Sequence, residues 1–397
     1  MMALAWLSAT LILLAAPADT RGAAPPASAA AYAPRTGTYP VEVVEYDWVD
    51  PDRHRRVPAR VYFPRKGEGP FPVIVVSHEV GGGRGGFEYL GRYWANHGYV
   101  AVHLQHAGSD VAMFAARPDQ PKPDAIKVMQ QIAKDKQLIL TRALDVYFAF
   151  DQVEGLQQND PLLRGRLALK RMAVAGHGVG AWTALAAAGL GVVGPDGQVT
   201  ALPDPRIKAL LLLNLPGEKE RPNLSFGQVK VPAMQILALR PPAMGGGVPA
   251  ATGDTASPAA PVGAGGTASP AAPPAPGGRP RGMSGAPVGA GSGPPAGSTS
   301  RQLFDHLAAS DQYLLSFPRA EGAAFDGRDA GAKGAERDPV FQQAIRVSST
   351  AFWDAYLKSD AAARSWLAAG GLERALNGEG RLEKRLKQEP PAGEPRR

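Results

Sequence analysis

The chain contains no cysteine. This absence excludes disulfide bonds, a thiolate nucleophile, thiolate metal ligands and an amino-terminal cysteine that carries a lipid anchor. The apolar run at residues 3–16 has 14 residues and falls short of a membrane anchor, since a spanning helix needs roughly 20. Small residues at positions 16–18 form a cleavage pattern, so residues 1–18 predict a secretory signal peptide and residues 19–38 an Ala/Pro-rich spacer. We therefore expect an exported protein, periplasmic or extracellular, with no membrane span once the signal is removed.

Aromatic residues are absent from a second segment, residues 241–300, which consists almost entirely of Pro, Gly, Ala, Ser, Thr and Val. Its only charged residues are Asp254, Arg279 and Arg281. Such a composition cannot bury enough apolar surface to offset the entropy of ordering, so it predicts a disordered insertion. The rest of residues 39–377 amounts to about 280 residues, the size of a single α/β domain.

Basic residues outnumber acidic ones and give a formal net charge of +7. Residues 381–397 alone hold six basic and three acidic residues, so much of the excess belongs to a charged, solvated tail that we place at residues 378–397. No nucleic-acid-binding module accompanies the charge, and we expect no nucleic-acid partner.

Two patterns of apolar residues follow one another along the chain. Residues 41–48 and 59–63 predict an antiparallel pair of strands. Short continuous apolar runs come next, which are typical of strands buried on both faces of a parallel sheet, and helical patterns separate them. We therefore predict an α/β fold, a doubly wound, mostly parallel sheet of about eight strands flanked by helices, with ligands bound beyond the carboxyl ends of the strands. The apolar runs are residues 73–76, 99–102, 172–175, 209–213, 234–237 and 313–317, and the helical patterns are residues 87–96, 126–150, 181–188 and 341–357.

Four segments carry a resemblance. Residues 77–82 read Ser-His-Glu-Val-Gly-Gly, residues 106–110 His-Ala-Gly-Ser-Asp, residues 173–180 Ala-Val-Ala-Gly-His-Gly-Val-Gly, and residues 352–357 Phe-Trp-Asp-Ala-Tyr-Leu. In this order they resemble the chlorophyllase, dienelactone-hydrolase and platelet-activating-factor acetylhydrolase branch of the α/β-hydrolases. The resemblance implies an α/β-hydrolase fold over residues 39–377, interrupted by the insertion.

The resemblance also implies where a catalytic triad would stand, and all three positions are replaced. The family's serine lies in a sharp Gly-x-Ser-x-Gly turn between a strand and a helix, and here Gly178 takes its place between two retained glycines. The acid position falls on Pro241 and the histidine position on Gly322. Because glycine and proline carry no group that attacks or transfers a proton, the resemblance predicts loss of the serine-hydrolase mechanism.

The oxyanion loop departs from the family as well. Glu79 replaces the first glycine of a His-Gly-x-Gly-Gly pattern, and its negative charge would repel a developing oxyanion. The backbone N–H of Val179 would remain as a cradle for an anion or a carbonyl. We therefore predict a non-catalytic homologue with no cofactor and no metal, whose pocket, with His78, Glu79, Val179 and His177, binds an unknown small molecule or protein.

Three alternatives stay open. A rebuilt esterase or lactonase site would draw its hydroxyl from Ser77, Ser109 or Ser225 and its base from His78, His106 or His177, although each of these has a structural interpretation. In that structural interpretation, the histidines and Ser77 help to hold the loops and the turn in shape. Asp110 is expected to accept backbone hydrogen bonds in its own turn. A zinc site would need three of His78, Glu79, His106 and His177 to converge. In the third alternative the insertion and the tail carry an interaction role. Independently of these alternatives, residues 352–357 are interpreted as the core face of the closing helix and not as an aromatic binding site.

Overall fold

The computed structural model describes most of the predicted domain in atomic detail. The described residues are 32–33, 37–115, 124, 127–128, 132, 137–194, 196–215, 224–240, 299–307, 310–321, 325 and 338–387. The predicted signal peptide, most of the spacer and insertion residues 241–298 lie outside them.

A nine-stranded sheet organises the described residues, and its neighbouring strands are, in order, β1 (Val41–Asp50), β2 (Arg55–Pro64), β4 (Val100–Leu104), β3 (Phe71–Ser77), β5 (Leu167–His177), β8 (Ile207–Leu213), β10 (Ala233–Arg240), β11 (Gln312–Glu321) and β12 (Arg381–Arg385). The six strands from β4 to β11 run parallel to one another, whereas β1, β2 and β12 pair antiparallel with their neighbours. Three short strands, β6 (Gly191–Val193), β7 (Val199–Thr200) and β9 (Leu224–Ser225), form a separate small sheet.

Helices cover both faces of the large sheet and bury its apolar residues in two cores. One face packs against α2 (Leu138–Asn159), α3 (Val179–Ala187) and α4 (Thr299–His306). The other packs against α1 (Glu88–Asn96), α5 (Asp338–Tyr356), α6 (Ala361–Ala368) and α7 (Gly371–Leu376). The prediction of an α/β protein with a large, mostly parallel sheet flanked by helices is therefore confirmed. As expected, residues 352–357 lie in the core, where the side chains of Phe352 and Trp353 are fully buried.

Helix α2 differs from the predicted helix at residues 126–150. It continues to Asn159, where Asp160 accepts backbone hydrogen bonds from Leu162 and Leu163 and Pro161 follows. Proline restricts the residue before it to extended conformations, which ends the helix. Most of residues 126–136 lie outside the described range, so the predicted start is not addressed.

The prediction of a solvated tail from residue 378 onward is wrong for residues 381–385. These residues form β12, which pairs antiparallel with β11, and the side chain of Leu382 packs against the core. Lys384 and Glu383 form ion pairs with Glu373 and Arg301, so the charges that suggested a free tail anchor an edge strand. The insertion was predicted to extend to residue 300, but α4 already begins at Thr299, so the last two residues of the predicted insertion belong to this helix.

None of the helices in the described residues is both long enough and apolar enough to cross a bilayer.

Candidate functional site

The loops that follow β3, β4, β5 and β8 meet at one edge of the sheet. A hydrogen bond joins the loop after β3 to the loop after β4, in which the N–H of Gly81 donates to the carbonyl of Ser109 at 2.8 Å. The turn after β5 bonds the end of β8, because the N–H of Gly178 donates to the carbonyl of Leu213 at 3.0 Å. These carboxyl ends are where ligands bind in open α/β sheets.

Gly178 forms the sharp turn between β5 and α3, with φ 56° and ψ −119°. Glycine adopts this left-handed backbone conformation without the steric cost that a side chain brings. The two flanking glycines are required by close packing. A Cβ on Gly176 would overlap the backbone of Gly180, and a Cβ on Gly180 would overlap the carbonyl of Ser77. The turn therefore brings the first N–H of α3, that of Val179, next to the loop after β3.

The carboxylate of Glu79 fills the space at this turn. Its Oε2 accepts a hydrogen bond from the N–H of Val179 at 3.0 Å, and its Oε1 accepts one from the N–H of Val80 at 2.7 Å. An ideal Cβ on Gly178 would overlap Oε2. The N–H of Val179, which the sequence predicted to remain as an anion cradle, is therefore occupied by a carboxylate of the same chain.

The other two predicted triad positions, Pro241 and Gly322, lie outside the described residues. Gly178 is therefore the one predicted triad position whose surroundings the structure describes.

A Ser-His-Asp hydrogen-bond chain lies directly beneath the site. The Oγ of Ser77 lies 2.9 Å from Nε2 of His106, and Nδ1 of His106 lies 2.9 Å from Oδ2 of Asp145. Because a carboxylate only accepts, Nδ1 of His106 carries the proton and Nε2 accepts from the serine hydroxyl. All three side chains are fully buried. The arrangement of a catalytic triad is thus present, but no substrate can reach the hydroxyl in this conformation.

Asp145 also anchors the strand β2 and the turn before it. Its Oδ1 accepts from Arg53 Nη1 and from Arg55 Nε, both at 2.8 Å, and its Oδ2 accepts from Arg55 Nη2 at 2.9 Å. Burial opposes ionisation of this carboxyl, but the bonds from His106 and Arg55 outweigh it and lower the pKa of Asp145 to about 2. Burial lowers the pKa of His106 to about 4, so the imidazole is neutral at pH 7. The cluster therefore combines one carboxylate with two guanidinium groups and serves to join β2 to α2.

Arg142 lies one helical turn from Asp145 and is fully buried. Its Nη2 donates to the carbonyl of His78, the residue before Glu79. Burial lowers the pKa of Arg142 to about 10, and the charges of Glu79 and Asp145 partly offset that effect. The Nε and Nη1 atoms of Arg142 have no hydrogen-bond partner among the described residues. A cation with spare donors thus lies under the loop that carries Glu79.

The remaining predicted candidates hold the loops together. Nδ1 of His78 lies 2.5 Å from the carbonyl of Glu79, and Nε2 of His78 accepts from the N–H of His106 at 3.0 Å. The ring of His177 packs 5.2 Å from that of Phe87. Ser109 donates to the carbonyl of His106 at 3.2 Å.

Two further residues that the sequence suggested for this site, Asp110 and Ser225, do not have the expected contacts or position. Asp110, expected to accept backbone hydrogen bonds, accepts one from the side chain of Gln105 at 2.7 Å. Ser225 belongs to the small separate sheet. Within the described part of the chain, no group of three His, Asp or Glu side chains is arranged to hold a metal ion.

A cleft of about 620 Å³ opens at the opposite, amino-terminal ends of the strands. Its polar residues already support the fold. Asp354 accepts hydrogen bonds from Tyr99 and Tyr32 and forms an ion pair with Lys358, and Asp360 caps α6 through the N–H groups of Ala362 and Ala363. These polar groups of the cleft are therefore used in contacts within the fold.

The sequence did not indicate Val80, Asp145 or Arg142 as members of the site. One signal was available, because Arg142 and Asp145 are charged residues three apart inside the largely apolar helix α2. Such a pair on a buried helix face requires partners, and here the partners come from the loops after β3 and β4 and from the start of β2 with the turn before it.

Comparisons of the chain with known protein families and with curated proteins find no match.

Proposed function

We propose that this chain is a non-catalytic α/β-hydrolase homologue that is exported and binds a small molecule or a protein at the carboxyl edge of its sheet. The observation that carries the proposal is the position of the Glu79 carboxylate. It takes both backbone donors, Val80 and Val179, and it fills the space of a side chain at Gly178. In the α/β-hydrolases an oxyanion site is built from these two elements, the N–H after the nucleophile and an N–H from the loop after β3.

Acyl transfer by a serine hydrolase needs a reachable hydroxyl, a base beside it and donors that are free to receive an oxyanion. Residue 178 has no side chain at this turn. The N–H donors of Val80 and Val179 are already bound to the negatively charged carboxylate of Glu79. Each deficiency alone costs orders of magnitude in rate, since loss of a single oxyanion donor lowers kcat by about 10² to 10³. The arrangement thus supports binding over turnover.

The Ser77, His106 and Asp145 chain favours a second candidate, an esterase that uses Ser77 as a rebuilt nucleophile. Its hydrogen bonds have the right order and lengths. Full burial of Ser77 and the lowered pKa of His106 count against it, because the hydroxyl is unreachable and the base is weak. This candidate requires the loop after β3 to open.

Labelling with a fluorophosphonate probe separates the two candidates. We expect the native chain to show neither labelling nor turnover of short acyl esters above a heat-denatured control. Labelling that a Ser77→Ala variant abolishes would establish the rebuilt nucleophile and overturn the proposal. Ser77→Ala removes one hydroxyl and retains the backbone, so it is a matched control.

A restored site would test the same proposal from the opposite direction. Gly178→Ser with Gly322→His reintroduces two groups of the triad at the positions that the resemblance implies. We expect this double variant to stay unlabelled, because Glu79 occupies the space of the new serine, and we expect labelling once Glu79→Gly is added. Labelling of the double variant, with Glu79 still present, would show that Glu79 does not obstruct the site.

A further inference from the structure

Two backbone N–H groups from separate loops form a fixed pair of donors. The N–H of Val80 belongs to the loop after β3, and that of Val179 begins α3 after β5. Strands β3 and β5 are parallel neighbours, with Ser77 opposite Gly176, so the sheet holds the two loops in register. A pair of donors fixed in this way needs no reorganisation to receive a ligand.

The group that occupies these donors is a carboxylate, and each of its oxygens accepts one N–H. Two further features favour an anion at this place. The amino-terminal end of α3 carries the positive end of the helix dipole, and Arg142 is buried beneath the loop with two donor atoms that lack a partner among the described residues.

We propose that Gly178 and the N–H groups of Val80 and Val179 form a binding site for the carboxylate of a small molecule, and that Glu79 occupies it as an internal competitor. The inference rests on the proposed binding function and specifies its ligand class. A ligand carboxylate enters by displacing the Glu79 side chain. The displaced carboxylate has a nearby cation to pair with in Arg142, which bonds the residue that precedes it.

The geometry favours a planar monocarboxylate over other acceptors. The carboxylate of Glu79 gives one charged oxygen to each of the two donors, whereas a neutral carbonyl has no charge to interact with the helix dipole. Gly178 leaves no side chain at the turn, so withdrawal of Glu79 vacates a space the size of a carboxyl group.

Tethering makes Glu79 an effective competitor, because a group on the same chain acts at a high local concentration. An external carboxylate therefore binds the native chain weakly and binds a chain without the Glu79 carboxylate more tightly. We expect the apparent Kd for acetate to fall by about tenfold or more in Glu79→Ala, given effective concentrations in the millimolar range or above.

Both donors are valine amides, so selective ¹⁵N-valine labelling reports on them directly. The experiment titrates acetate into native protein, Glu79→Ala and Glu79→Gln, and follows the Val80 and Val179 amide resonances, assigned with Val80→Ala and Val179→Ala. Glu79→Gln retains the side-chain volume and removes one acceptor oxygen. Glu88→Ala is the matched control, since Glu88 lies on the surface of α1 in an ion pair with Arg92. Acetamide serves as the uncharged ligand control.

The proposal predicts saturable shifts of both amides with acetate and not with acetamide, strongest in Glu79→Ala, weaker in Glu79→Gln and weakest in the native chain and Glu88→Ala. It is overturned if folded Glu79→Ala or Glu79→Gln shows no acetate-dependent shift at either amide, or if native protein binds acetate as tightly as both variants. Ester turnover by the native chain would instead refute the proposed function. Failure of the carboxylate site and failure of the non-catalytic assignment are thus distinguishable.

Discussion

The carboxylate of Glu79 and a side chain at Gly178 cannot occupy the site together. A Cβ on Gly178 would overlap Oε2 of Glu79, the atom that accepts the N–H of Val179. The absence of a side chain at position 178 and the presence of a carboxylate at position 79 are therefore one structural arrangement, although the two residues lie 99 positions apart in the sequence. The arrangement gives the loop after β3 a fixed anchor on α3.

Neutralising Asp145 should destabilise the protein strongly. Asp145→Asn leaves Arg53, Arg55 and His106 without the carboxylate that they share. Removing one partner of a buried ion pair typically costs about 3 to 5 kcal/mol of unfolding free energy. We expect the lower end of this range, because Arg53 and Arg55 are partly exposed and Arg53 also pairs with Asp50. Urea denaturation of the purified variant measures this loss.

The matched control for Asp145 is Asp151→Asn on the same helix. Asp151 pairs with Arg206 at the surface, where its side chain is 62% exposed. Exposed pairs of this kind contribute at most about 1 kcal/mol. Equal losses for the two variants would show that the Asp145 cluster does not join β2 to α2.

Stability should decrease as the pH falls from about 6.5 toward 4. Burial lowers the pKa of both His103 and His106 to about 4, below the value of about 6.5 in an unfolded chain. In this window the unfolded state binds more protons than the folded state, so each histidine lowers the unfolding free energy by up to about 1.4 kcal/mol per pH unit. The contribution of both is complete above pH 6.5. Chemical denaturation at several pH values measures the slope, which His103→Gln should reduce, and a flat profile would contradict the prediction.

The edge strand β12 should contribute to stability, whereas the residues after it should not. Ending the chain after Glu379 removes β12 and exposes the edge of β11. We expect the Tm to fall by about 5 °C or more, since 1 kcal/mol shifts the Tm of a domain of this size by about 2 to 4 °C. Ending the chain after Lys387 retains every described contact of the strand and should leave the Tm unchanged. An equal Tm for the two shortened chains would restore the original prediction of a free tail.

The framework of the fold could be predicted from the sequence because buried strands leave a local signal. Continuous apolar runs such as residues 73–76 and 209–213 are typical of strands that are covered on both faces. Strand β12 left no such signal. It reads Arg-Leu-Glu-Lys-Arg, and it pairs with β11 because that edge is available and because Leu382 reaches the core.

The site could be predicted only in part, for a related reason. The turn at Gly178 is encoded by its own glycines, so its position and its missing side chain were predictable. The pairing of Ser77 with His106, 29 residues apart, and of His106 with Asp145, 39 residues apart, arises from tertiary packing. The sequence predicted that the charge of Glu79 would repel an oxyanion, whereas in the structure its carboxylate binds the two N–H donors itself. This outcome depends on the rotamer of one side chain, which the sequence does not specify.

The competition between Glu79 and position 178 can be measured by a double-mutant cycle on the unfolding free energy. Gly178→Ala should cost more in the native chain than in Glu79→Ala, because only the first background retains the overlap. We expect a coupling of about 1 kcal/mol or more, within the range seen for residues in contact. Gly165→Ala is the control, since Gly165 also has a positive φ of 75° but has nothing within 4 Å of a Cβ. Its cost should be the same in both backgrounds. A coupling near zero at position 178 would contradict the central claim that the Glu79 carboxylate fills the place of a side chain there.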